Sequence, residues 1–158
     1  MADVSHKSIT RRVAIAGGTI RIGPDAFAML AEGRLPKGDP LPMAEIAGIQ
    51  AAKQTPGLLP LCHPIALNRV MIHSVLRPEI TAVELFCVAE IAEKTGVEME
   101  ALTGVSVALL TIWDLVKPVN PALEIGSVRL LYKSGGKRGT WTHPDGLPPE
   151  VTKIVERL

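Results

Sequence analysis

The chain has 158 residues, enough for one domain with a substantial core. Hydrophobic residues make up 47% and aromatics only 3%, so that core must be built from Ala, Val, Ile, Leu and Met. A net charge of +1 excludes the electrostatic footprint of a nucleic-acid binder or of a protein held on an anionic membrane.

Residues 1–7 are polar and are expected to be poorly ordered unless a partner holds them. Residues 9–22 alternate partly at period two, which predicts a strand interrupted at Gly17–Gly18. Pro24 opens a short helix through Ala31, with Gly33 just past its end. Residues 33–41 read as a loop carrying Lys37, and a loop lysine is solvated by default. A second helix is predicted over residues 42–54, with Asp39 near its start and Pro56–Gly57 ending it. Ala44, Ala47, Gly48, Ala51 and Ala52 make it thin-sided, so another element can approach closely.

Residues 58–67 (LLPLCHPIAL) are apolar and broken by prolines, with Cys62 and His63 in the middle. A loop this apolar should be buried, which leaves its backbone groups to a ligand, water or another subunit. The alternative is a packed connector with a hydrogen-bonded His63. Strands over 69–76 and 80–91, joined by Arg77–Pro78–Glu79, predict an antiparallel hairpin.

The longest stretch with one reading runs from residue 97 to 116, a helix uninterrupted by Pro. Thr95 can cap it, Glu98 and Glu100 suit its first turn, Lys117 suits its last turn, and Pro118 stops it. So few polar residues break its surface that it should be buried nearly all round. A last strand over 124–132 leads into the basic, Gly-rich residues 133–139. The tail from Thr140 carries little that predicts packing. The order β, α, α, β, β, α, β is the split βαβ pattern of an α+β, ferredoxin-like antiparallel sheet with an added helix. No repeat or linker divides the chain, so it reads as a single domain over 1–158, with 140–158 unassigned.

Glu98, Glu100, Asp114 and Lys117 stand out on the long apolar helix, because a buried charge is costly unless paired or used. In the plain reading the glutamates serve the helix start, and Asp114 and Lys117 form an i,i+3 ion pair. In the functional reading they belong to a site. Glu100 and Asp114 fall within ~40° of one face, yet ~21 Å apart along the axis. If both serve one site, two helices must supply them, from two chains.

Other motifs are weaker. KSGGKRG lacks the Walker spacing, so it is either a flexible exit from the last strand or a polyphosphate contact through Lys133, Lys137 and backbone N–H groups. Cys62 and His63 are adjacent, which is poor spacing for two ligands of one metal, and His6, His73 and His143 form no cluster with them in sequence. No Gly-x-Ser-x-Gly elbow is present. Phe86 alone is no stacking platform for RNA. Cys62 and Cys87 make no Cys-x-x-Cys motif, and no signal peptide is evident, so a reduced, cytoplasmic setting is expected. No apolar run reaches bilayer length without a Glu, Asp or Lys intruding.

AGIQAAK at Ala47–Lys53, LCHP at Leu61–Pro64, KTGVEMEALT at Lys94–Thr103, the Asp114-x-x-Lys117 step and KSGGK at Lys133–Lys137 carry a resemblance. Together, and in this order, they resemble the MoaC family, the cyclic pyranopterin monophosphate synthases of molybdenum cofactor biosynthesis. The similarity runs from about Asp3 to Gly139. It implies conversion of 3′,8-cyclo-7,8-dihydro-GTP to cyclic pyranopterin monophosphate with release of pyrophosphate. It also implies a ferredoxin-like fold and a hexamer, a trimer of dimers with sites at subunit interfaces. The family's catalytic aspartate falls on Asp114, its nearby lysine on Lys117 and its loop lysine on Lys37. Its substrate-contacting Leu-Cys-His falls on Leu61, Cys62 and His63, its Met-Glu pair on Met99 and Glu100 with Glu98 beside it, and its Gly-rich lysine on Lys133.

On that reading the Asp114–Lys117 step supplies paired acid and base, the lysines steady departing pyrophosphate, and His63 and Glu100 read the guanine-derived ring. No redox cofactor is called for. Magnesium could accompany the triphosphate, but no ligand set is visible. The sequence departs from the family at Trp113 (Tyr expected), at Pro118 (a small residue usual) and in the tail. Two rivals remain: a catalytically dead oligomeric relative, and a nucleotide-binding regulatory module on the same fold.

Overall fold

The structure, a computed structural model, describes residues 1–158. Four long strands, β1 (Thr10–Arg21), β2 (Arg69–Arg77), β3 (Ala82–Glu93) and β4 (Glu124–Ser134), with a short β5 (Trp141–Thr142), form one antiparallel sheet in the order β2-β3-β1-β4-β5. β3 lies between β1 and β2, and β1 lies between β3 and β4, which is the interleaving of a ferredoxin-like α+β fold. Helices α1 (Pro24–Ala31) and α2 (Pro40–Leu58) cross from β1 to β2, α3 (Glu98–Val116) crosses from β3 to β4, and α4 (Pro149–Val155) comes after β5.

Alternation of side chains divides the sheet into two apolar faces. One face buries Ala14, Ala16, Leu85, Cys87 and Ala89 against α2 and α3, in a cluster of 22 buried residues. The low aromatic content becomes visible here, because small aliphatic residues let helices and sheet approach closely. A β-carbon on Gly48 would stand 2.9 Å from the carbonyl oxygen of Gly104, and one on Gly104 would stand 2.7 Å from Cys87 Sγ. The α2–α3 crossing therefore requires glycine at both positions. The expected thin side of α2 is the side that meets α3 and β2.

Several expectations need correction. β1 runs unbroken through Gly17 and Gly18, because Leu131 and Phe86 fill the space over Gly17; only its register with β4 shifts there. α2 starts at Pro40, with Asp39 accepting from the Leu41 N–H at 2.9 Å. It continues through Pro56, whose missing N–H falls in the last turn, and closes by Leu59 N–H to the Thr55 carbonyl. α3 begins after Val97 with no side-chain cap, so Thr95 does not perform that task. Nor is α3 buried all round, since Leu110 is 57% exposed and Met99 41% exposed. It is long and apolar enough to cross a bilayer by length and composition, yet half of it is buried against the sheet and α2, as in a core helix.

The tail packs, contrary to expectation. Its helix α4 covers the second face of the sheet, where Val151 is fully buried among Val13, Ile15, Phe86, Val88 and Leu131. Burying a side chain of that size stabilises by about 1.5–3 kcal/mol. Polar contacts fix the tail along its length: Arg129–Asp145 at 2.9 Å, Arg77–Glu150 at 2.9 Å, and Arg11 donating to the Leu158 carbonyl at 2.9 Å. The run of prolines hid this from the sequence reading, although the docking residues Leu147, Val151, Ile154, Val155 and Leu158 recur at helical spacing.

Candidate active site

At its N-terminal end α3 meets the connector that leaves α2. Leu61, Cys62 and His63 face Glu98, Met99 and Glu100 across a cleft of about 180 Å³. The connector is not buried as expected, since Leu61 is 72% exposed. Glu100 is only 3% exposed, and burial, with the nearby Glu98 charge, raises its pKa against the opposing pull of its backbone N–H and His63. Burial, and then Glu100, likewise push the Cys62 thiol up. His63 Nε2 lies 2.8 Å from the Ala2 carbonyl. A carbonyl only accepts, so Nε2 carries the proton in this tautomer. The N-terminal residues are thus held in place, with Lys94 Nζ also donating to the Ser5 carbonyl at 3.0 Å.

Beside this cleft lies a larger cavity of about 570 Å³ with a basic lining that includes Lys7, Arg12, Lys133, Lys137 and Arg138. Gly135 and Gly136, with φ of +95° and +74°, adopt a pairing that side chains resist, and both line this cavity. Arg12 donates to the Glu93 and Lys94 carbonyls, both at 3.3 Å, which fixes its guanidinium against Gly136. The Glu98–Lys133 ion pair, 2.9 Å long, stands between the two cavities, and Glu98 lines both. No group of three or more His, Cys, Asp or Glu side chains converges as a metal site would require.

The C-terminal end of α3 carries the other predicted residues. Asp114 Oδ1 pairs with Lys117 Nζ at 2.7 Å, the expected i,i+3 step, and Oδ2 pairs with Lys37 Nζ at 3.1 Å. Lys37 also donates to the Asp114 carbonyl at 3.0 Å, which ties the loop between α1 and α2 to the helix end. All three side chains are about half exposed. Lys117, then Lys37, hold the Asp114 carboxyl below the usual aspartate range.

The structure therefore brings the predicted residues together as two groups. Leu61, Cys62, His63, Glu98, Met99, Glu100 and Lys133 lie at one end of α3, and Lys37, Asp114 and Lys117 at the other, separated by ~21 Å of helix. Sequence reasoning missed Arg12 and Arg138. The adjacent pair Arg11–Arg12 held the signal for the first: on a strand neighbours point to opposite faces, so one of them had to face the site. Arg11 points to the tail side and Arg12 to the cavity.

A family model described as the MoaC family matches residues 1–136. The chain is 48% identical over 139 residues to cyclic pyranopterin monophosphate synthase of Dinoroseobacter shibae, covering 88% of each chain. It is 44% identical over 146 residues to the protein of that name from Pelobacter propionicus, covering 92% of this chain and 91% of the relative. The Rhodospirillum rubrum counterpart is 46% identical over 142 residues, covering 90% and 86%.

Proposed function

The chain belongs to the MoaC family, and on that premise we propose that it is a cyclic pyranopterin monophosphate synthase of molybdenum cofactor biosynthesis. It converts 3′,8-cyclo-7,8-dihydro-GTP to cyclic pyranopterin monophosphate and releases pyrophosphate. The observation that carries this reading is the joining of two cavities by the Glu98–Lys133 pair: one with ring-reading groups, the other basic. A guanine-derived ring fits the first, where Glu100 and His63 meet its donors and acceptors. A triphosphate fits the second, where Lys133, Arg12 and the Gly135–Gly136 N–H groups offset its charge.

Ring opening, ring closure and phosphate cyclisation all move protons. Asp114, kept ionised by two lysines, serves as base, and a lysine beside it returns the proton. Those groups stand at the far end of α3 from the ring-reading cleft. We propose that a neighbouring copy supplies them, so that Glu100 of one subunit and Asp114 of another complete each site within a homohexamer, a trimer of dimers. Support comes from the exposed apolar side chains on the outer surface of α2 and α3, namely Met43, Ile46, Met99 and Leu110, together with Leu61 of the connector. Sedimentation of a monomer at micromolar concentration would overturn the assembly.

The chain acts as one catalytic domain over residues 1–158. It works in the cytoplasm, consistent with the free thiols of Cys62 and Cys87. Magnesium would arrive with the triphosphate rather than on a resident ligand set. Incubation with the cyclised GTP intermediate and an assay for pyrophosphate tests the reaction. A dead relative releases none, and a regulatory module binds GTP without turnover.

A further inference from the structure

We propose that the C-terminal segment, residues 137–158, is a positioning element that closes the Gly-rich loop into a hairpin and so fixes its basic groups around the anion cavity. The identity of the anion as the substrate's phosphates rests on the function proposed above. The segment lies beyond residue 136, where the family match ends.

Four observations carry the inference. First, the loop is not a free exit from β4. It is closed at its base by pairing of Tyr132 with Thr142 and Lys133 with Trp141, and by the His143 N–H donating to the Leu131 carbonyl at 2.8 Å. Second, a turn bond from Gly139 N–H to the Gly136 carbonyl, 3.2 Å, holds the loop tip. Third, Arg138 and Lys133 line both the basic cavity and an adjoining one of about 480 Å³ walled by Trp141, so β5 backs the residues that line the site. Fourth, β5 is itself anchored by the residues C-terminal to it: Asp145 on Arg129, Glu150 on Arg77, and Val151 sealed against the sheet. A Gly-rich loop free at one end would have to be ordered by its ligand, with a loss of affinity; the hairpin orders it during folding.

The experiment uses the full chain and inorganic pyrophosphate as the probe, titrated by calorimetry. His143→Pro removes the N–H that closes the hairpin, and His143→Ala keeps it. The Pro variant should bind pyrophosphate about tenfold more weakly, the scale of one lost charge-assisted hydrogen bond, and should show a matching rise in KM with kcat little changed. The Ala variant should bind within about twofold of wild type, because its backbone donor is intact. Lys137→Ala and Arg138→Ala should weaken binding in the wild-type background and have almost no further effect in the Pro background, as expected when two changes act on one element.

Wild-type affinity in the Pro variant, or additive effects of the loop lysine and arginine, overturns the proposal, as does a wild-type chain that fails to bind pyrophosphate. Should the Pro variant not fold, Val151→Ala loosens α4 without touching the cavity. It should raise the dissociation constant about threefold, a fraction of the full loss, and unchanged binding would again overturn the proposal. Binding is read without turnover. A chain that shows the coupling but releases no pyrophosphate from the cyclised GTP intermediate therefore removes the reaction and leaves the positioning role in place.

Discussion

The two ends of α3 carry carboxylates with opposite surroundings. At the N-terminal end Glu100 is almost completely buried, and burial holds its proton on to higher pH than usual. At the C-terminal end Asp114 is half exposed between two lysines that pull its proton off at lower pH than usual. Both residues sit on one helix and differ by only one methylene, so the difference is set by desolvation at one end and ion pairing at the other. It separates their states: a carboxyl that holds its proton more firmly, and a carboxylate kept ionised between two cations.

The sharpest way to break the comparison is at Asp114. Asp114→Asn keeps the size and most of the hydrogen bonding but cannot take up a proton. Turnover should fall ~100-fold or more, the usual scale for a lost acid–base group. The melting temperature should hardly move, because exposed ion pairs contribute little to stability. Near-normal turnover would show that the C-terminal cluster only staples the Lys37 loop to the helix.

A second experiment asks whether the two ends cooperate across chains. Glu100→Ala and Asp114→Asn homo-oligomers should each be nearly inactive. Co-expressed, random pairing makes half the dimers mixed, and each mixed dimer holds one intact site, so recovery should approach roughly a quarter of wild-type activity. No recovery, with mixed oligomers demonstrated by tag pull-down, would place both residues in one chain's site. Because they lie ~21 Å apart on a continuous helix, a single-chain site would then need a rearrangement of α3 on binding.

A smaller effect is expected at Lys133, which the Glu98 carboxylate holds at 2.9 Å. Lys133→Ala should raise KM about tenfold through loss of one cationic contact. Glu98→Gln, which leaves the lysine in place but without its ionic partner, should have the weaker effect. Equal losses in kcat and KM for both variants would mean that the pair acts on the reacting atoms instead.

Much of the C-terminal cluster was legible in the sequence. Asp114 and Lys117 sit three apart on a helix, and local spacing alone pairs them. Lys37 was not legible from its own surroundings, because its contact with Asp114 spans 77 residues of chain and depends on where α3 ends. The N-terminal cluster was legible as composition but not as geometry. Cys62 and His63 stood out in an apolar loop, while Arg12 looked like one of two ordinary strand arginines. The order of the long strands followed from period and turn chemistry. The tail helix did not, although Leu147, Val151, Ile154, Val155 and Leu158 recur at helical spacing, because the prolines ahead of it read as loop and what it covers lies on strands far away in sequence.

The last test reads the N-terminal end without substrate. The folded value of Glu100 is raised above its ordinary 4.5, so the folded state holds the proton more tightly than the unfolded chain does. The stability contributed by the neutral carboxyl is therefore fully present below about pH 4.5 and is lost as pH rises through the folded value. Glu100→Gln is neutral at every pH. Its melting temperature should match wild type near pH 4 and exceed it by a few degrees at pH 8, where the wild-type chain must bury a charge. A gap that stays flat across this range, or that closes toward alkaline pH, would mean that Glu100 is solvated in solution. The contrast between the two ends of α3 would then rest on ion pairing alone.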